Sequence, residues 1–156
     1  MGRRKNSLME FIMYPIGIIH SPFTEKDQTP IQSSRSQAIG RVELYPEFAD
    51  GLRDIEGLSH IYLLYVFHRS SGYSLQVKPF LDDQEHGIFT TRYPQRPNPI
   101  GISIVRLLSH QGNILAIEGV DVLDGTPLLD IKPYVPDFDL RTNDVRVGWY
   151  ETRSKE

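Results

Sequence analysis

The sequence predicts a mainly β protein: a small closed or nearly closed barrel of seven to eight strands with one or two short helices. Three observations carry that expectation. Short apolar or alternating runs recur along the chain with turn residues between them, the spacing of a barrel. A regular strand–helix–strand alternation is missing, and so are a Gly-x-Gly-x-x-Gly after a strand and a Walker A sequence. This is not a Rossmann sheet, and any nucleotide-like ligand has to be held by loops. Finally, 156 residues with 39% apolar and 24% charged side chains suit one ordinary globular domain.

Taken in order, residues 1–10 read as a mobile leader. Residues 11–20 are apolar and isoleucine-rich, a strand with Pro15 near its start. Residues 21–37 are polar and form a long loop with Pro22, Pro30 and Gln32; loops of that length in a compact domain carry function or move. Residues 38–44 alternate, with Ile39, Arg41 and Glu43 on one side and Val42 and Leu44 on the other, a half-buried strand. Residues 46–55 read as a short helix: Pro46 suits the first turn, Phe48, Leu52 and Ile55 share a face, and Gly57 ends it. Residues 61–67 are continuously apolar, a strand buried on both faces. Residues 75–80 and 87–91 are short extended pieces.

Runs over 102–108 and 114–122 flank His110-Gln-Gly-Asn113, a hairpin turn with Gly112 free to take positive φ. Residues 128–134 are a last core strand. Residues 141–156 are a tail with one short strand over 145–149. The domain proper thus spans residues 11–140.

Composition removes several function classes. The chain has no cysteine, so disulfides, thiolate metal sites and cysteine nucleophiles are out, in keeping with a reducing, cytoplasmic setting. The run over 61–67 is too short to span a bilayer, and no apolar stretch follows Arg3, Arg4 and Lys5 as a secretory signal requires. A net charge of −3 argues against a uniformly basic nucleic-acid coat but not against a local basic groove. The five histidines lack metal-ligand spacing, so no metal is expected. No Gly-x-Ser-x-Gly elbow or triad points to hydrolysis.

The densest chemistry lies in Thr91-Arg-Tyr-Pro-Gln-Arg-Pro-Asn-Pro-Ile-Gly101. Proline fixes φ near −65° and extends the residue before it, so this is a stiff loop. It presents Arg92, Arg96 and the amide of Asn98, and guanidiniums fork onto carboxylate or phosphate. An anionic or purine-containing ligand is the expected target. Pro30-Ile31-Gln32 and His68-Arg69 are weaker signals, a surface loop and a polar strand end. Asp124-Gly-Thr-Pro127 is a turn able to serve a ligand through Asp124 and the backbone of Gly125 and Thr126. After it, Asp130 and Lys132 share one face of an otherwise apolar strand, where charges are costly unless paired. Tyr134 closes that segment.

These motifs resemble the TrmO family. The resemblance rests on Gly87-Ile-Phe-Thr-Thr-Arg92, Arg96-Pro-Asn-Pro-Ile-Gly101 and Asp124-Gly-Thr-Pro-Leu-Leu-Asp-Ile-Lys-Pro-Tyr134. It rests also on Ile16-Gly-Ile-Ile-His-Ser-Pro22 and His60-Ile-Tyr-Leu-Leu-Tyr-Val-Phe-His68, and it covers about residues 12–139. It implies an S-adenosylmethionine-dependent tRNA methyltransferase with a small β-barrel, assembled as a homodimer, that acts on N6 of threonylcarbamoyl-adenosine beside the anticodon. It places cofactor contacts on Pro30, Ile31, Gln32, His68, Arg69, Arg92, Ile102, Asp124, Gly125, Thr126 and Pro127. Ile102 enters through the resemblance alone. Asp130, Lys132 and Tyr134 are the candidate catalytic residues, with Arg96 and Asn98 on the RNA side. Pooled Arg35, Arg41, Arg69, Lys78, Arg92 and Arg96 from two subunits would give the polyanion a basic groove. Longer bacterial members carry a further C-terminal domain. Two rival readings are a non-catalytic S-adenosylmethionine sensor and a methyltransferase acting on a substrate other than RNA.

Overall fold

The computed structural model describes residues 9–32, 34 and 36–152; the first eight residues of the leader, Ser33, Arg35 and the last four residues lie outside the described set. Eight strands form: β1 (Gly17–His20), β2 (Ile39–Leu44), β3 (His60–Val66), β4 (Gln76–Val77), β5 (His86–Gly87), β6 (Ile100–Gln111), β7 (Ile114–Glu118) and β8 (Thr126–Pro133). Six of them close an antiparallel barrel in the order β1-β2-β7-β6-β3-β8, while β4 and β5 pair apart as a ribbon. The expected seven to eight barrel strands are therefore six, because the pieces expected over 75–80 and 87–91 shrink to two-residue strands that pair only with each other, and Ile88–Thr90 is a 3₁₀ turn.

Alternation within each strand sends one side chain in and the next out. Ile19, Val42, Leu44, Ile61, Leu63, Tyr65, Val105, Leu115, Ile117 and Leu128 fill the interior. The β6–β7 hairpin turns at Gly112 with φ +60, as the sequence predicts. Gly101 opens β6 against Tyr65 and Phe67; a Cβ there would overlap both rings.

Four expectations need correction. β1 starts only after Pro15, and Phe11–Tyr14 are exposed and in no strand. The helix expected over 46–55 is two 3₁₀ turns, Pro46–Leu52 and Ile55–Gly57, separated by Asp54 at φ 70. Phe48 is exposed while Leu52 and Ile55 are buried, so the apolar face is too narrow to hold a full helix. β3 is not buried on both faces: Ile61, Leu63 and Tyr65 are, whereas Tyr62, Leu64 and Val66 are half-buried on the outside. The tail forms no strand at 145–149; instead Gly148–Thr152 makes a 3₁₀ turn, and a single turn of α-helix, α1 (Pro136–Asp139), precedes it.

Candidate functional site

The outer surface of β6, β3 and β8 is the floor of the candidate site. Antiparallel register sets its side chains in rows. Ile102 and Asp130 flank Leu64, and Ile104 and Lys132 flank Tyr62. The register slips in β8 opposite Leu64 and Tyr65, so Leu129 is an extra, bulged residue. Leu128 and Ile131, three apart, both pack toward the core, and Asp130 and Lys132 face out.

Lys132 Nζ lies 3.1 Å from Asp130 Oδ2, and Asp130 Oδ1 accepts the Ile131 amide at 2.9 Å. On an otherwise apolar strand these charges are expected to be buried. With side chains 49% and 61% exposed they are not, and a solvated pair of this kind adds little stability. The Tyr134 ring meets Tyr62 edge-on at 5.8 Å and His60 at 6.3 Å. Burial pushes the Tyr62 hydroxyl up in pKa; Asp139 and Tyr134 add to the shift and Arg92 opposes it. Tyr62 therefore lies within electrostatic reach of the proline loop, α1 and β8. Sequence reasoning missed it, because a tyrosine inside an apolar run looked like core; its hydroxyl was the available signal.

The proline loop is stitched from within. Thr91 is buried and its hydroxyl donates to the Ile88 carbonyl at 2.8 Å. Arg96 folds back and donates from Nη1 to the carbonyls of Thr91 (2.9 Å) and Tyr93 (3.0 Å). The loop therefore does not present two equivalent arginines: Arg96 Nη1 holds the loop, and a contact with RNA falls to its other nitrogens. Arg92 is the exposed one, and it donates to Gln32 Oε1 at 2.7 Å across 60 residues of sequence. Asn98 is exposed beside them.

The early loop ties the other segments together. Ser21 donates its amide to Asp124 Oδ1 at 3.0 Å, and the Phe23 carbonyl accepts the Asp124 amide at 2.7 Å. The Thr24 carbonyl accepts Arg69 Nη1 at 3.0 Å, and Lys26 Nζ donates to the Arg69 carbonyl at 3.1 Å. Gln32 then reaches Arg92. One strand of chain thus touches the Asp124 turn, the end of β3 and the proline loop. His68 is exposed at the same strand end.

The Asp124 turn differs from expectation in its chemistry. Its amides are consumed by the fold: Gly125 donates to Ile19 and Thr126 to Leu123. What it offers a ligand is acceptors, above all the Asp124 carboxylate. His20 sits between two carboxylates, 3.1 Å from Glu43 and 3.6 Å from Asp124, and lines an open recess with Ser21, Arg41 and Asp124. Among the described residues no cluster of three or more metal-ligating side chains occurs, and no helix is long and apolar enough to cross a membrane.

The donor set suits a zwitterionic nucleoside. A permanent cation and an amide, Arg92 and Gln32, can meet a carboxylate. The Asp124 carboxylate can meet an ammonium or sugar hydroxyls, and Ile102 with Leu64 offers apolar cover for a purine. That combination fits S-adenosylmethionine.

A closed antiparallel barrel with a candidate ligand site built from loops over its outer wall defines a class distinct from the doubly wound nucleotide-binding sheets. Within that class, the sequence profile of the tRNA-methyltransferase O N-terminal domain matches residues 18–140, and the chain belongs to the TrmO family. A probable S-adenosyl-L-methionine-binding protein of Pyrococcus abyssi is 61% identical over 138 residues, 88% of this chain and 74% of that protein. The human tRNA (adenine(37)-N6)-methyltransferase is 36% identical over 83% of this chain and 31% of its own length. A crystal structure of TrmO superposes with a TM-score of 0.76 at 43% identity, covering 90% of this chain and 64% of that one. The chain thus spans under two thirds of that solved TrmO and about a third of the human protein.

Proposed function

We propose that this chain is an S-adenosylmethionine-dependent tRNA methyltransferase acting on N6 of the threonylcarbamoyl-adenosine beside the anticodon. The observation that carries the reading is the early loop, which gathers Gln32–Arg92, Arg69 and Asp124 around the outer wall of β3. The names of the mammalian relatives support tRNA and the adenine amine as substrate.

S-adenosylmethionine, when bound, supplies a methyl group already activated on a sulfonium. Pro30, Ile31, Gln32, His68, Arg69, Arg92, Ile102 and the Asp124–Pro127 turn hold it in this proposal. The protein's remaining work is alignment and proton removal. Asp130, half-exposed beside the apolar floor, accepts the amine proton at its carboxylate; Lys132, 3.1 Å away, orients that carboxylate. Tyr134, edge-on to Tyr62, walls the space for a planar base. Arg96 and Asn98 face the RNA.

Assembly as a homodimer belongs to the same reading. Phe11, Ile12, Met13 and Tyr14 are exposed in sequence, and an exposed apolar run of this kind suits an interface. Two copies would also pool Arg41, Arg69, Lys78 and Arg92 for a polyanion; Arg35 lies outside the described residues. Sedimentation at twice the 17.9 kDa chain mass supports this, and full activity as a dilute monomer refutes it.

A second reading draws on the archaeal relatives, which are named as S-adenosyl-L-methionine-binding proteins. One assay separates the two. The protein is incubated with methyl-labelled S-adenosylmethionine and total tRNA from cells lacking the modification. Label in tRNA is the expected result. Tight binding without transfer identifies a sensor, and label in another acceptor identifies a different methyltransferase.

A further inference from the structure

The ribbon that leads into the proline loop is weakly built. β4 and β5 contribute two residues each, and a two-stranded ribbon is marginal alone. Val77, Leu81 and Ile88 are buried beneath it but do not belong to the barrel's core cluster. The turn Ile88–Thr90, two residues before Arg92, therefore rests on a small satellite core.

The tail supplies what the ribbon lacks. After α1 the chain runs exposed until Gly148, where φ +58 turns it into the 3₁₀ segment. There the Trp149 indole lies flat on the His86 ring, centroids 4.5 Å apart and planes 11° from parallel. Its Nε1 donates to the Thr90 carbonyl at 3.0 Å, a contact across 59 residues of sequence. Tyr150 stacks on its other side at 3.9 Å. His86 is held in turn by Asp82 at 2.6 Å, and Thr90 Oγ1 donates to Gly87 at 2.8 Å. The ribbon, the turn and the tail are thus one braced unit that ends at Arg92.

We infer that Trp149 is a positioning residue for the cofactor site: by clamping His86 and Thr90 it fixes the turn from which Arg92 reaches Gln32. The tail is in this way part of the ligand site without touching the ligand. The inference rests on the proposed role of Arg92 toward S-adenosylmethionine.

Trp149 is also the only tryptophan of the chain, so its emission reports on the brace directly. Titrating wild-type protein with S-adenosylmethionine should change Trp149 emission with the same midpoint as calorimetric binding. Trp149→Ala should weaken S-adenosylmethionine binding about tenfold, the effect of losing one aromatic anchor and its hydrogen bond. Trp149→Phe, which keeps the stack and loses the donor, should fall between. Combined with Arg92→Ala, Trp149→Ala should cost nothing further, because one acts through the other. If Arg92→Ala leaves affinity unchanged, the assignment of Arg92 fails and takes this inference with it. If Arg92→Ala weakens binding while Trp149→Ala does not, or if the two losses add in full, only the positioning role is overturned. Silent emission at saturation overturns it even where a variant fails to fold.

Discussion

The barrel wall and the ribbon beside it hold their functional side chains by different physics. In the barrel, β3 is paired along both edges, to β6 and to β8, and Ile61, Leu63 and Tyr65 anchor it from inside. Ile102, Tyr62, Asp130 and Lys132 therefore stand on a surface that moves only if the whole fold opens. Arg92 stands instead on a turn held by three satellite apolar residues, a buried threonine and a tail contact. Reaction geometry needs a rigid floor, whereas a ligand must enter past something that can yield. The molecule assigns its candidate proton acceptor to the first region and its candidate cofactor arginine to the second.

That division is sharpest for a pair of core truncations. Leu63→Ala, inside the barrel, should cost about 3 kcal/mol of global stability, as buried leucine truncations do. Ile88→Ala, inside the satellite core, should shift the global urea transition much less yet weaken S-adenosylmethionine binding clearly. Urea denaturation beside calorimetry reads both, and equal global losses would erase the distinction between the regions.

The next effect is on chemistry alone. Asp130→Asn should lower turnover by about a hundredfold, the usual contribution of a positioned base. Affinity for S-adenosylmethionine and the melting temperature should hold, because Asp130 stands on the rigid wall and its partner Lys132 is solvated. Turnover near wild type at saturating tRNA would leave Asp130 as nothing more than half of a surface ion pair.

The smallest effect tests the barrel far from the ligand. His110 Nδ1 lies 2.5 Å from Glu56 Oε1 at the β6–β7 turn. The Glu56 carboxyl is held below its ordinary 4.5 by a backbone hydrogen bond and then by His110; the Glu56 carboxylate and the Gly112 carbonyl push His110 above its ordinary 6.5. The stability from Glu56 is present above 4.5 and is lost as pH falls through its lowered value. That from His110 is present below 6.5 and is lost as pH rises through its raised value. The pair therefore contributes most between these two pH values. His110→Asn should flatten the pH dependence of the urea midpoint on both flanks and leave cofactor binding untouched.

Local patterns were readable and long-range ones were not. The alternation of β2 and the Gly112 hairpin follow from neighbours two to four residues away, and both stand as expected. Arg92 and Arg96 are the same side chain four residues apart in one proline-rich loop. Only the folded loop distinguishes them, since the carbonyls of Thr91 and Tyr93 turn toward Arg96 and Gln32 comes to Arg92 from another part of the chain. The apolar run in β3 concealed Tyr62, because a half-buried outer barrel wall can look as hydrophobic in sequence as the side that faces the core. Nothing local announces that Trp149 will land on His86.

The bulge at Leu129 can be put as a question of odd and even. Count outward from buried Leu128 along an unbroken ladder and Asp130 and Lys132 fall on the inward beats, two charges in the middle of the barrel. One surplus residue changes the parity, and the same letters put both charges outside and Ile131 within. The identity of the surface that β8 shows on the outside of the barrel is therefore stored in a single count, and a one-residue insertion or deletion there would exchange the chemistry of the wall for the oil of the interior without altering any other residue.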